Sequence, residues 1–198
     1  MDDDLTAQLE FLLEADRLKS VERRSWIIDR SRRENSAEHS WHLALMALVL
    51  GEHADEPIDR LRVMTMLVLH DIVEIDAGDT FLYDDDGRAA KHDHEAQAAH
   101  RLFGLLPDAQ ARDLAELWFE YEEGESADAR FARALDRLQP LLLSHASGGA
   151  TWKEHGVTAD RVRAVNASIA SGSASLWAAA QEVIADSVAK GYLDDPGG

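Results

Sequence analysis

Cysteine is absent from this 198-residue chain, which removes disulfides, thiolate metal sites and thiol nucleophiles together. Any metal site must therefore be built from imidazole and carboxylate, a donor set suited to Mn, Co, Mg, Fe, Ni or Zn. No run of about 18 or more apolar residues occurs, so no membrane span is expected. The N-terminus, MDDDLTAQLE, is acidic and lacks a signal peptide's basic start and apolar stretch, which makes the cytoplasm the expected compartment. Positive charge is scarce: 20 Lys and Arg against 38 Asp and Glu leave a net charge of −18. Such a surface repels a nucleic-acid polymer, whose binding rests on neutralising several phosphates. A phosphorylated ligand, if any, must be small and held by a metal plus a few local arginines. Also missing are β-alternation, internal repeats, low-complexity tracts and linkers, so the expectation is one all-helical domain over 1–198.

What the chain does contain is concentrated at 70–79, HDIVEIDAGD, with His70, Asp71, Glu74, Asp76 and Asp79 in ten positions. The run before it, Met64 to Leu69, is apolar nearly all round, the mark of a buried helix. Its end carries carboxylates into the interior, where an unpartnered one costs several kcal/mol. Lys and Arg are absent from 63 to 87, so a metal ion is the economical counter-charge. On one continuous helix from about Pro57 to Asp76, Glu74 would lie over both His70 and Asp71. Gly78 would stop the helix, with Asp79 on the turn beyond.

In chain order, Leu5–Leu18 carries a helical stripe. Residues 19–33 form the densest basic stretch (Lys19, Arg23, Arg24, Arg30, Arg32, Arg33), either a solvated loop or an anion clamp, since the guanidinium fork suits phosphate oxygens. Asn-Ser-Ala-Glu at 35–38 resembles a capping box. In the helix it opens, His39, Leu43, Met46 and Leu50 share one stripe, so His39 faces inward and His42 stands behind it. Residues 79–88 read as an acidic loop, a plain solvated one in preference to a lid over the site. Helices are expected over about 88–105 and 108–123. His92-Asp93, with His94 and Glu95, sits in a polar stretch and reads as a solvated face. In FARALDRLQPLLL, the residues Phe131, Leu135, Leu138 and Leu142 make the core stripe, Asp136 flanks it, and Pro140 should kink the helix. TWKEHGVT reads as irregular, and two helices (about 159–170 and 173–190) finish the chain.

His39, then His70-Asp71, then Asp136, with ENSAEHSWH, HDIVEIDAGDT, FGLLP and ALDRLQPLL around them, resemble the HD-domain metal-dependent phosphohydrolases. The narrower resemblance is to the branch holding the bacterial 5′-deoxynucleotidases and relatives of HD domain-containing protein 2. It implies an HD-type helical bundle with a core at about 36–146 and C-terminal helices at about 159–190. It further implies that His39, His70, Asp71 and Asp136 bind one divalent ion. Glu74 and Asp79 would serve catalysis and substrate positioning, with Glu38 and His42 behind the ligands. In deoxynucleotidases an adjacent Arg and Trp contact the phosphate and sugar; here Ser25 separates Arg24 from Trp26, which leaves Arg32 the steadier phosphate candidate, with Arg33 beside it. The implied activity is hydrolysis of a nucleoside 5′-monophosphate, with a homodimer as the expected assembly. The rival expectations are an HD hydrolase acting on a triphosphate or cyclic nucleotide, a non-catalytic metal- or nucleotide-binding module, and a two-metal oxygenase.

Overall fold

Helices form wherever apolar periodicity is strong, and the chain is seen here as a computed structural model describing residues 2–83 and 85–195, without the side chains of 85–93. The first helix, α1 (Asp3–Ala15), runs into a 3₁₀ turn at Asp16–Ser20. A short hairpin follows, β1 (Glu22–Trp26) and β2 (Arg33–Asn35), then α2 (Ser36–Leu50) and α3 (Arg60–Leu69). Next come α4 (Glu74–Ala77), α5 (Asp85–Phe103), α6 (Asp108–Glu123) and α7 (Ala127–Ala146). The chain closes with α8 (Ala150–His155), α9 (Ala159–Asn166) and α10 (Ala174–Ala189). The fold is helical, with one small antiparallel hairpin among the described residues.

The core lies where α3 packs between α2 and α7. Leu43, Val63, Met66, Leu67, Phe131 and Leu135 are fully buried there, each worth roughly 1.5–3 kcal/mol relative to exposure. The capping box forms as expected: the Asn35 side chain accepts the Glu38 N–H while the Glu38 carboxylate accepts the Asn35 N–H. That pins the start of α2 at Ser36, three residues ahead of His39, and aims His39 inward.

Four expectations change. The basic stretch is the hairpin, in which β1 and β2 pair irregularly between Glu22↔Asn35 and Trp26↔Arg33; alternation over five residues is too short to stand out in a charged segment. The helix expected from Pro57 to Asp76 starts at Arg60, capped by Asp59, and breaks after Leu69. His70 to Val73 form tight turns (Ile72 N–H to Leu69 O 3.0 Å, Glu74 N–H to Asp71 O 2.9 Å) before the single turn of α4. Gly78 does end it, at φ 74°. In α7 the apolar stripe holds through Leu138, but Leu142 is 38% exposed and Leu141 and Leu143 are buried instead, downstream of Pro140, whose ring interrupts the helical hydrogen bonding. The 150–155 segment is a helix, not irregular. Residue 84 and the side chains of 85–88 in the acidic loop, and those of His92 and Asp93, lie outside the described residues.

Candidate metal and phosphate site

Three helices deliver the site. His39 comes from the first turn of α2, His70 and Asp71 from the end of α3, and Asp136 from the middle of α7. His70 keeps helical backbone angles at the end of α3, its N–H bonded to Met66 O at 2.8 Å, and the chain tightens only after it. His39 Nε2 lies 3.0 Å from Asp136 Oδ1, and His70 Nε2 lies 3.0 Å from Asp71 Oδ1 and 3.7 Å from Asp136 Oδ1. One donor atom each from His39, His70 and Asp136 falls within 4.8 Å of the others. Asp71 closes on the same point, its Oδ2 3.9 Å from His39 Nε2.

The imidazole tautomers test whether this cluster fits a cation. Gln139, fully buried, donates from Nε2 to Glu34 Oε1 at 2.6 Å. Its Oε1 is therefore the acceptor for His39 Nδ1–H, at 3.0 Å. His70 Nδ1–H likewise donates to Leu67 O at 2.9 Å. Both Nε2 atoms are left with lone pairs that face carboxylate oxygens, and His70 Nε2 is buried with no hydrogen-bond partner. Two acceptors 3.0 Å apart repel unless a cation lies between them. The carboxylates call for positive charge at this point: burial pulls the His70 pKa down, but Asp71 and Asp136 push it further up, to about 9, so in metal-free protein a proton on Nε2 takes the place of the cation. Burial raises the Asp136 carboxyl, yet the two imidazoles of His39 and His70 beside it carry it well below the ordinary range. The donors fit a divalent ion, with imidazoles fixed by partners behind them, as is general for metal-binding histidine.

A second positive group reaches the same place from far along the chain. Arg23, on β1, donates from Nη1 to Asp71 Oδ2 at 2.7 Å. It lies 3.5 Å from Asp79, 3.8 Å from Glu34 and 3.9 Å from Glu74. Burial works against its charge, but Asp71, Asp79 and Glu74 outweigh that and hold the proton more tightly than usual. The inference that a metal alone balances the 70–79 acids is thus corrected: this arginine shares the task. Glu74 is buried and accepts a hydrogen bond from Ser36 Oγ at 2.6 Å, so two elements orient it.

These groups open onto a cavity of about 540 Å³ lined by His70, Asp71, Glu74, Asp79 and Asp136 at one end, within the usual range for small-molecule sites. Arg24 and Ser25 line it too, whereas Trp26, Arg32 and Arg33 do not. Trp26 Nε1–H donates to Glu154 Oε2 at 2.9 Å, and the Arg33 guanidinium lies 4.1 Å over its ring and pairs with the same glutamate. Arg32 forks onto Glu38 (2.6 and 2.7 Å) at the surface. Those arginines are engaged structurally, and Glu38 serves the α2 cap rather than the ligands. His42 does stand behind the site, its Nδ1 3.2 Å from Gln139 Nε2. Glu95, expected on a solvated face, is buried and lines the cavity.

Arg23, Glu34, Ser36 and Gln139 were not singled out by sequence. For Gln139 a signal exists, an amide beside Leu135 and Leu138 on a buried stripe. For Arg23 the signal is only its parity with buried Ser25 on the strand.

The HD domain family profile matches residues 15–177, a span that includes all four candidate ligands. The chain belongs to the HD domain family. This HD-domain chain is 35% identical over 135 residues to 5′-deoxynucleotidase HDDC2 of Bos taurus and 33% identical over 135 residues to that of Homo sapiens. Each match covers 68% of this chain, and 64% and 65% of the relatives' own lengths. A crystal structure described as a predicted metal-dependent phosphohydrolase from Magnetospirillum magnetotacticum superposes with a TM-score of 0.93 at 52% identity, covering 98% of this chain and 97% of that one.

Proposed function

We propose that this protein is a metal-dependent phosphomonoester hydrolase that takes nucleoside 5′-monophosphates, 5′-deoxyribonucleotides first among them, to nucleoside and phosphate. One observation carries the reading: two buried imidazole Nε2 lone pairs converge with carboxylates at the end of a cavity sized for a nucleotide. The relatives named 5′-deoxynucleotidase support the substrate class.

His39, His70, Asp71 and Asp136 would hold one divalent ion, which when bound polarises a phosphoryl oxygen and lowers the pKa of water. Glu74 takes the proton of the attacking water as the new P–O bond forms. Asp79, past Gly78, accepts a hydrogen bond from the sugar hydroxyl or, in its protonated form, gives its proton to the departing 5′-oxygen, which leaves as the alcohol. Arg23 offsets charge on the three non-bridging oxygens. A site that only stapled helices together would need neither Glu74 nor Arg23 at its edge, which weighs against a purely structural module.

The assembly reading is a homodimer through α2 and α3. Every exposed position of α2 is apolar: Trp41 (66%), Leu45, Leu48 and Val49. Leu61 and Val68 of α3 extend the face, and no Lys, Arg, Asp or Glu occurs from 39 to 51. In a chain of net charge −18, this is where two copies meet with least repulsion. Light scattering should give twice the chain mass, and Trp41→Glu half that value; a monomeric wild type would end the dimer reading. No described helix is long and apolar enough to cross a membrane, and a cytoplasmic setting suits the cysteine-free chain.

The deciding assay is phosphate release from dNMPs and NMPs by metal-stripped protein given Mn, Co, Mg or Zn separately. Metal-dependent release with dNMPs favoured supports the assignment; release only from triphosphates or cyclic nucleotides would replace the substrate class, and no product with any nucleotide would defeat the enzyme reading.

A further inference from the structure

The cavity's charge balance is incomplete. Four carboxylates line the inner end (Asp71, Glu74, Asp79, Asp136), and Arg23 is shared among the first three and Glu34 behind them. A divalent cation there still leaves excess negative charge, and a phosphate dianion adds to it. With Arg23 engaged, the incoming anion needs another donor group.

The wall made by α6 and α7 supplies two. Arg137 follows the ligand Asp136 in α7 and is half-buried in the cavity wall. It lines the cavity together with Asp136, Tyr121 and Tyr83. No hydrogen-bond or ion-pair partner of Arg137 occurs among the described residues. In a chain with 38 acids for 20 bases, an arginine left unpaired beside a carboxylate-rich cavity is conspicuous; Arg133, one turn before it, is spent on the carbonyls of Tyr121 and Glu122. Tyr121 of α6 is 5% exposed and lines the same wall. Its ring packs edge-on against His70, 5.2 Å between centroids, and its hydroxyl makes no hydrogen bond to the described protein. A phenol hydroxyl is protonated at neutral pH and free to donate.

We infer that Arg137 and Tyr121 form the second half of the phosphate cradle, gripping the substrate's phosphoryl oxygens from the wall that α6 and α7 build. The inference rests on the phosphatase reading and names the residues that set its anion affinity. Farther along the same face of α7, Pro140 and Ser144 line the cavity, the latter about 12 Å from Asp136 at the helical rise. That distance leaves room for sugar and base beyond the phosphate.

The test uses metal-loaded protein and inorganic phosphate as the probe, read by calorimetry, alongside KM and kcat for a dNMP and for deoxyribose 5-phosphate. Losing a charged hydrogen bond predicts that Arg137→Gln weakens phosphate binding about tenfold to a hundredfold. KM should rise in parallel for both substrates while kcat changes less, and Arg137→Lys should recover part of the loss. Tyr121→Phe should cost severalfold in the same direction. Arg112→Gln, the same charge change on exposed α6 surface, should do neither. Unchanged phosphate affinity in Arg137→Gln with an unchanged melting temperature overturns the inference. So does a KM that rises for the nucleotide but not for deoxyribose 5-phosphate, since Arg137 would then read the base. If the wild type releases phosphate from nothing, the phosphatase reading fails, and the calorimetry still decides whether Arg137 holds an anion.

Discussion

Gln139 has no part in the chemistry, yet the site's geometry makes it decisive for holding the ion. Fully buried, it accepts from His39 Nδ1 at 3.0 Å and donates to Glu34 at 2.6 Å and toward His42 at 3.2 Å. Replacing it by leucine keeps the volume and deletes both ends of the bridge. A buried N–H and a buried carboxylate then lack their partner, at about 1–3 kcal/mol each and more for the charge, so the protein should lose roughly 2–5 kcal/mol of stability. The larger signature is in metal affinity. With nothing to hold the proton on Nδ1, His39 no longer presents Nε2 as a fixed lone pair, and loss of such a partner costs about 10–100-fold. Urea unfolding of metal-stripped protein reads the first quantity; calorimetric titration with Mn reads the second. At saturating metal kcat should return to near its original value, because Gln139 touches neither water nor phosphate. A Gln139→Leu protein that folds and binds Mn as tightly as the wild type would refute the tautomer argument and the site built on it.

Other outcomes follow from the same contacts. Glu74→Gln should keep the metal and lose about 10²–10⁴ in kcat; a rate within a factor of a few of wild type would remove Glu74 as the base. Arg23→Met strips the guanidinium from carboxylates buried around it and should cost metal-free protein about 3–5 kcal/mol, with part of that recovered on adding metal; equal losses with and without metal would contradict the shared counter-charge. His70, raised to about 9 by its two carboxylate neighbours, holds its proton more tightly folded than unfolded. Its stabilising effect on metal-free protein is complete below its unfolded pKa, near 6.5, and lost as pH rises through about 9. Thermal melts of His70→Gln should lack that decline; if the wild type also lacks it, His70 does not carry the proton.

Much of the architecture was readable from composition and periodicity. The capping box at Asn35 and Glu38 and the inward aim of His39 needed only local rules, because a cap is satisfied within one turn of chain. The stop at Gly78 followed from its freedom at positive φ, and the Phe131–Leu135–Leu138 face followed from helical spacing. The hairpin was invisible because its stability comes from pairing and from docking against α8, through Trp26 and Glu154, rather than from strand propensity. The end of α3 was misplaced for a related reason: an apolar run shows that a segment is buried, and where it turns is decided by what it packs against.

The sequence alone determined that any cation site had to be made of histidine and carboxylate, and it raised the expectations that the site lies at 70–79 and that its ligand is not a polymer. Those conclusions depend on residue inventory and on short-range geometry, which the chain carries in linear order. Tertiary structure alone decided which arginine enters the site, which amide locks His39, and which cationic side chain remains unspent in the cavity. Arg23, Arg24, Arg32 and Arg33 are alike as letters; strand parity and long-range packing send the first toward Asp71, 48 residues away, and bind the last two to Glu38 and Glu154 at the surface. Charge is local in sequence but its partners are chosen in space, so the roles of these arginines become definite only once the fold has brought the acids to them.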